Sequence, residues 1–238
     1  MAAVKTATSL TERIEDVRAR LAAAAGSSNR SVEEITLVAV SKTHPAEAVR
    51  AAMAAGLDNF GENRVQEAES KIPAVGRTAA RWHLIGHLQS NKARRAVELF
   101  DCIHSLDSPE LAQRLNRMCD QLDRQELPVL IQIDLGHEAT KTGIAEKDVS
   151  ELVAALRECP RLRLTGLMTL PPFFDEAERV RPYFRRLREL RDDLKAQGAF
   201  GDYPGELSMG MTHDFEIAIQ EGATMVRVGT AIFGEREK

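Results

Sequence analysis

Lys42 follows the apolar run LVAVS (37–41) and is the residue with the clearest chemical potential in this chain. On an extended strand it shares a face with Val38 and Val40. An ammonium lifted partly out of water at the end of such a run loses solvation, which favours the neutral amine that attacks carbonyls. A strand-end lysine that reaches back into solvent is the plain alternative. Further along, Ser208-Met209-Gly210 and Gly229-Thr230 combine glycines, which admit a ligand close to the backbone, with hydroxyl donors. Taken together they read as an anion cradle, and taken singly as turn chemistry at strand ends. Arg227 lies two residues before Gly229 on the same face of an otherwise apolar strand, where its guanidinium needs an acceptor. A structural carboxylate and a ring nitrogen or carboxylate of a ligand are both open as that acceptor.

Histidine spacing argues against a metal centre. His83 and His87 fall on one face of a strand but about 13 Å apart, too far to share an ion. His104, on the following strand, could join either one, yet no HxH pair or carboxylate cluster completes a site, and we expect no metal. Cys102, Cys119 and Cys159 are odd in number and scattered without CxxC spacing, which excludes a disulfide framework and a thiolate zinc site.

These residues are positioned by alternating strands and helices. A capping box at Ser9 and Glu12 opens a helix in which Leu10, Ile14, Val17 and Leu21 recur at helical spacing until Gly26. Strand-like runs follow at ITLVAV (35–40), DNFGE (58–62), RWHLIGHL (81–88), DCIHSL (101–106), PVLIQIDL (128–135), RLTGLMTL (163–170), ELSMG (206–210) and MVRVGTAIF (225–233). Helical patterns lie between them, among them 45–55 closed by Gly56, 108–125 opened by Ser108-Pro109-Glu110, and 214–221 closed by Gly222. Eight strand–helix units in 238 residues predict a single (β/α)8 TIM barrel over 1–238, with 1–34 an additional N-terminal helix and lead-in. A working site then belongs at the C-terminal strand ends, where Lys42 and both glycine pairs fall, and the pairs follow strands seven and eight, where such barrels often hold phosphate.

Composition narrows the function classes. Hydrophobic residues at 43% and charged residues at 29% make an ordinary globular chain. Lys+Arg at 32 against Asp+Glu at 36 leaves a net charge of −4, so no global basic field recruits nucleic acid or an anionic membrane. The arginine-rich segment 179–195 carries an apolar stripe of Val180, Tyr183, Phe184, Leu187, Leu190 and Leu194 and interleaved acids, the pattern of an outer helix. Charges recur through the first 25 residues and no later window approaches about 20 apolar residues, so neither a secretion leader nor a membrane span is expected and the cytoplasm is the expected location.

A strand-one lysine, a phosphate cradle after strands seven and eight, and a strand-eight arginine describe a fold-type III pyridoxal 5'-phosphate (PLP) barrel. The segments LVAVSKTHP (37–45), NFGENRVQE (59–67), WHLIGHLQSNK (82–92), GLMTL (166–170), LSMGMTHDFEIAI (207–219) and VRVGTAIFG (226–234) resemble the YggS/PROSC-like pyridoxal phosphate homeostasis proteins, in order and over nearly the whole chain. The resemblance implies that Lys42 forms an internal aldimine with PLP. It places Ser208, Met209, Gly229 and Thr230 around the phosphate and sets Arg227 facing the pyridine nitrogen. It also puts Asn63, His83 and Met168 along the cofactor pocket. The chain departs from the family at Asp134, where relatives usually carry Asn, and at the turn Gly136-His137. Lys141 is retained, as a solvent-facing loop lysine or a second, transient PLP acceptor.

The family implies a carrier in intracellular PLP, vitamin B6 and amino-acid homeostasis, handing its cargo to PLP-dependent apoenzymes, as a monomer or weak dimer. An always-cationic arginine beside the ring nitrogen disfavours its protonation and weakens the electron sink, which suits racemisation at most rather than transamination or broader carbanion chemistry. The alternative is a PLP-dependent amino-acid racemase. Racemisation needs a second acid/base opposite the lysine, which similar alanine racemases take, as a tyrosine, from a C-terminal β-domain; neither Tyr183 nor Tyr203 stands at an obvious opposing position. A Schiff-base aldolase is a third reading, disfavoured by a lysine on strand one.

Overall fold

The computed structural model describes residues 8–136 and 142–235, so His137 and Lys141 lie outside the described residues. Strands β1 (Thr36–Val40), β2 (Asn59–Glu62), β3 (Arg81–Leu84), β4 (Cys102–Leu106), β5 (Leu127–Asp134), β6 (Ile144–Ala145), β7 (Leu162–Thr169), β8 (Glu206–Ser208) and β9 (Met225–Val228) are all parallel. Eight of them close on themselves in the order β1-β2-β3-β4-β5-β7-β8-β9, with β9 pairing back onto β1; β6 is a short attachment to the end of β5. This is the TIM barrel expected from the alternation. Its eighth strand is shorter than the run MVRVGTAIF implied, because the chain leaves the sheet after Val228 and coils into one helical turn.

The helices are α1 (Leu10–Ser27), α2 (Ala46–Ala54), α3 (Val65–Val75), α4 (Ala93–Leu99), α5 (Pro109–Gln121), α6 (Val149–Arg157), α7 (Arg181–Ala196), α8 (Phe215–Gln220) and α9 (Thr230–Phe233). Ser9 caps α1 as its sequence requires, with the Ser9 amide donating to Glu12 Oε2 at 2.7 Å and the Glu12 amide to Ser9 Oγ at 3.2 Å. α1 packs against α8, α9 and α2, so the additional helix takes the place in the outer ring that the single turn of α9 is too short to fill. The arginines of α7 are spent on carboxylates: Arg181, Arg185 and Arg188 all reach Glu221, which is buried at the end of α8. No helix among the described residues is long and apolar enough to cross a membrane.

Side-chain alternation divides each strand between two environments. Ala39, Phe60, Trp82, Leu84, Val129, Ile131, Leu207, Val226 and Val228 face outward into the core between sheet and helices. The inward residues are also buried, but many are polar: His83, His104, Gln132, Ser208 and Arg227 are each at most 2% exposed. Cys102, Leu130 and Met168, with Leu170 and Met225 against them, make a small apolar cluster apart from the main core. Buried polar groups are costly unless hydrogen-bonded, so the interior must be a connected network.

Candidate functional site

The register between β1 and β9, Ala39 against Val228, sets Gly229 beside Val40 and brings the turn Gly229-Thr230 next to the Lys42 turn. A Cβ added at Gly229 would lie 3.3 Å from the Val40 carbonyl oxygen, which explains glycine there. Across the same seam His44 stacks on Phe233 with ring centroids 4.9 Å apart. Ser41 turns outward and donates its hydroxyl to Glu62 Oε1 at 2.6 Å. Lys71 of α3 reaches the same oxygen at 2.6 Å and the Ser41 carbonyl at 2.7 Å. With Ser41 held outward, the alternation Val38, Val40, Lys42 gives Lys42 the inner side of the barrel mouth, where it is partly buried. Thr43 follows at φ +67°, a left-handed conformation costly for a β-branched residue, and Glu67 Oε2 accepts its amide at 3.0 Å. Burial pushes the Glu62 carboxyl above its ordinary range, and the Lys71 ammonium pulls it back.

Beneath the mouth, a chain of hydrogen bonds crosses the barrel interior. Arg227 Nη1 donates to Ser208 Oγ at 2.6 Å, and Nη2 to the Thr169 carbonyl at 2.9 Å. Ser208 Oγ meets His104 Nδ1 at 2.8 Å, His104 Nε2 meets His83 Nδ1 at 2.9 Å, and His83 Nε2 meets Asn59 Oδ1 at 2.9 Å. Burial depresses His83 to about 3 and, reinforced by its neighbour His83, holds His104 well below the ordinary imidazole range, so both rings are neutral at physiological pH. Burial also lowers Arg227 to about 10, which leaves it a cation; among the described residues no carboxylate lies within ion-pair distance of it, and Asp214, buried further off, is the carboxylate whose charge it feels.

Among the residues singled out from the sequence, Lys42, Gly229 and Thr230 converge on one seam, and Arg227 and Ser208 meet directly below. The Ser208 hydroxyl is taken up by Arg227 and His104. Met209 packs its side chain outward into the main core, with its amide donating to the Met225 carbonyl, so only its backbone lies near the mouth. Met168 fills the apolar interior cluster. Asn63 lies in the turn after β2, whose carbonyl sits so near Gly86 that a Cβ there would be 2.3 Å away. His83 has both ring nitrogens bonded to protein and adjoins Arg227 only through His104 and Ser208. From the sequence His104 is weighed only as a metal ligand, and Thr169 and Gln132 are not singled out; Gln132 Oε1 is buried with no hydrogen-bond partner among the described residues. The inward parity of Gln132 on β5 was the available signal.

His83, Cys102 and His104 offer ligand atoms within 4.8 Å of one another, closer than spacing suggested, because β3 and β4 pair His83 with Cys102. Their facing nitrogens already share one hydrogen bond at 2.9 Å, which satisfies both rings without an ion. One cavity of about 320 Å³ lies between α6, β7 and the loop at Phe200–Tyr203, and another of about 380 Å³ borders the Lys42 turn at Thr43, His44, Glu67 and Lys71.

The alanine racemase N-terminal domain family matches residues 15–237. A pyridoxal phosphate homeostasis protein of Escherichia coli is 46% identical over 237 residues, covering 96% of this chain and 97% of that protein. One of Aquifex aeolicus is 42% identical over 226 residues, covering 95% and 98%. PipY of Synechococcus elongatus, solved with PLP bound, superposes at a TM-score of 0.82 with 38% identity, covering 95% of this chain and all of the other. Alanine racemase of Corynebacterium glutamicum shares the fold alone, at 21% identity and a TM-score of 0.67 over 62% of its length. With a family match over residues 15–237 and relatives of near-equal length at 42% and 46% identity, the chain belongs to the pyridoxal phosphate homeostasis protein family.

Proposed function

We propose that this protein binds PLP at the Lys42 seam and acts as a carrier in PLP homeostasis rather than as an enzyme with its own turnover. The observation that carries the reading is Arg227: a buried cation with no carboxylate within ion-pair distance among the described residues, set below an amine at the barrel mouth and beside a glycine turn. That donor set fits a group with a reactive aldehyde, an electron-rich ring nitrogen and a phosphate. PLP supplies an aldehyde that condenses with primary amines and a pyridine ring that withdraws electrons when protonated.

Lys42, kept partly dry by Val38 and Val40, presents its amine for that condensation, with loss of water. Gly229, Thr230 and the backbone at Met209 provide the phosphate cradle, with Ser208 behind them. Arg227 meets the ring nitrogen and, as a fixed cation, keeps protons off it. Asn63, His83 and Met168 complete the pocket's walls and floor, His83 through its neighbours. We read 1–238 as one unit, located in the cytoplasm, acting as a monomer or weak dimer and delivering PLP to apoenzymes.

A carrier is favoured over a racemase by the two tyrosines. Tyr203 donates its hydroxyl to Glu126 at 2.7 Å, next to the start of β5 and at the opposite end of the barrel from Lys42. Tyr183 stacks on Phe174 on the outer helix layer. The test is exchange of the α-hydrogen of amino acids in deuterated water by the PLP-loaded protein. A carrier gives no exchange above that of free PLP, and turnover-linked exchange would overturn the reading.

A further inference from the structure

The polar chain through the barrel has a direction. Asn59 donates its Nδ2 to Asp58 Oδ1 at 2.7 Å, which leaves Oδ1, an acceptor only, facing His83. His83 Nε2 must therefore carry the ring proton, and in a neutral imidazole Nδ1 is then a lone pair. His104 Nε2 must donate to it, because two lone pairs would repel at 2.9 Å. His104 Nδ1 is thereby an acceptor and takes the Ser208 hydroxyl proton, which turns the serine lone pairs toward Arg227. Every bond from the guanidinium to Asn59 points the same way, and such chains polarise cooperatively. The only formal negative charge on the chain is Asp58, at its far, exposed end.

We propose that Asn59, His83 and His104 are positioning residues for Arg227: they orient Ser208 as a neutral acceptor, so the guanidinium is fixed without its charge being cancelled. A carboxylate at the same place would hold the arginine equally well but would neutralise the field that keeps a facing ring nitrogen unprotonated. The inference rests on the proposed role of Arg227 toward PLP, while the directed chain itself exists without it. Both histidines are thus explained by hydrogen bonding rather than by metal ligation.

The test uses the full chain labelled with 15N-histidine, without PLP, and reads the tautomers by long-range 1H–15N NMR. Both His83 and His104 are expected neutral and protonated on Nε2. Either ring found protonated on Nδ1 overturns the directed chain, whatever the protein binds. In the second arm, His104→Ala and His104→Asn are loaded with PLP. The alanine variant shifts the visible absorbance band and releases PLP about tenfold faster, the upper size of one lost neutral hydrogen bond. Asparagine, which can still accept from Ser208, restores most of both. An unchanged band and release rate in His104→Ala overturn the positioning role. Should His104→Ala not fold, Asn59→Ala, which touches neither Arg227 nor the cradle, must shift the same band, and failure to do so is equally fatal. Absence of PLP uptake by the unsubstituted protein would instead sink the function reading and leave the tautomer result standing.

Discussion

Lys71→Met removes a cation from one of the least hydrated places in the molecule. Glu62 is fully buried, and Lys71 Nζ supplies its only charge partner at 2.6 Å while also holding the Ser41 carbonyl next to Lys42. Methionine nearly matches the lysine stem in volume, so the cost is electrostatic. The stranded carboxylate escapes it by taking up a proton, which for a carboxyl that titrates near 4.3 in the unfolded chain costs about 3.7 kcal/mol at pH 7. The figure agrees with the ~3–5 kcal/mol found when one partner of a buried ion pair is removed. It falls by about 1.4 kcal/mol for each unit of acidification, to roughly 1 kcal/mol at pH 5. The double variant Glu62→Gln/Lys71→Met has no charge to strand, so its advantage over Lys71→Met should be about 3.7 kcal/mol at pH 7 and shrink to roughly 1 kcal/mol at pH 5. Urea denaturation of the unsubstituted protein, Glu62→Gln, Lys71→Met and the double variant at both pH values measures this. A loss in Lys71→Met that is the same at pH 5 and pH 7, or a double variant as unstable as the sum of the singles, would refute the argument.

Other perturbations follow from the same geometry. His83, held to about 3 by burial, and His104, also depressed, bind protons more readily unfolded, where imidazole titrates near 6.5. Their contribution is complete above about pH 6.5 and lost as pH falls, by up to about 1.4 kcal/mol per pH unit for each ring, and His104→Asn should flatten that stretch of the stability curve. Urea midpoints between pH 7.5 and 5 check this, and a slope unchanged in the variant would contradict it. Gly86→Ala drives a Cβ to 2.3 Å from the Asn63 carbonyl oxygen, so the turn after β2 must move. A stability loss of about 1–3 kcal/mol with weaker PLP uptake is expected, read by denaturation and PLP titration; unchanged uptake would detach Asn63 from the site.

Much of the architecture could be read from local pattern, because β1, β5 and β9 are rich in β-branched residues and several helices open or close on a residue with a physical reason to be there. Ser9, Pro109, Gly56 and Gly222 are such residues. The departures have equally local causes. Thr230 begins a helical turn although its surroundings are strand-like, and β6 is two residues long. The mouth was legible because Lys42 and Gly229 sit at strand ends. The interior was not: His104 and Ser208 are 104 residues apart and meet only because the barrel closes. Lys71 reads as one more charged residue of an amphipathic helix, and nothing in its spacing announces Glu62 as a buried partner. Alternation did mark His83, His104, Gln132 and Arg227 as inward, and counting polar residues on that face was the signal to follow.

The central claim is that the Lys42 amine is where this protein holds its cargo. Incubating the protein with PLP, reducing with borohydride and mapping the adduct by peptide mass spectrometry tests it most directly. One dominant adduct on Lys42 is expected, and no PLP-dependent visible band in Lys42→Ala. A dominant adduct on another lysine, or a full visible band in Lys42→Ala, would contradict it.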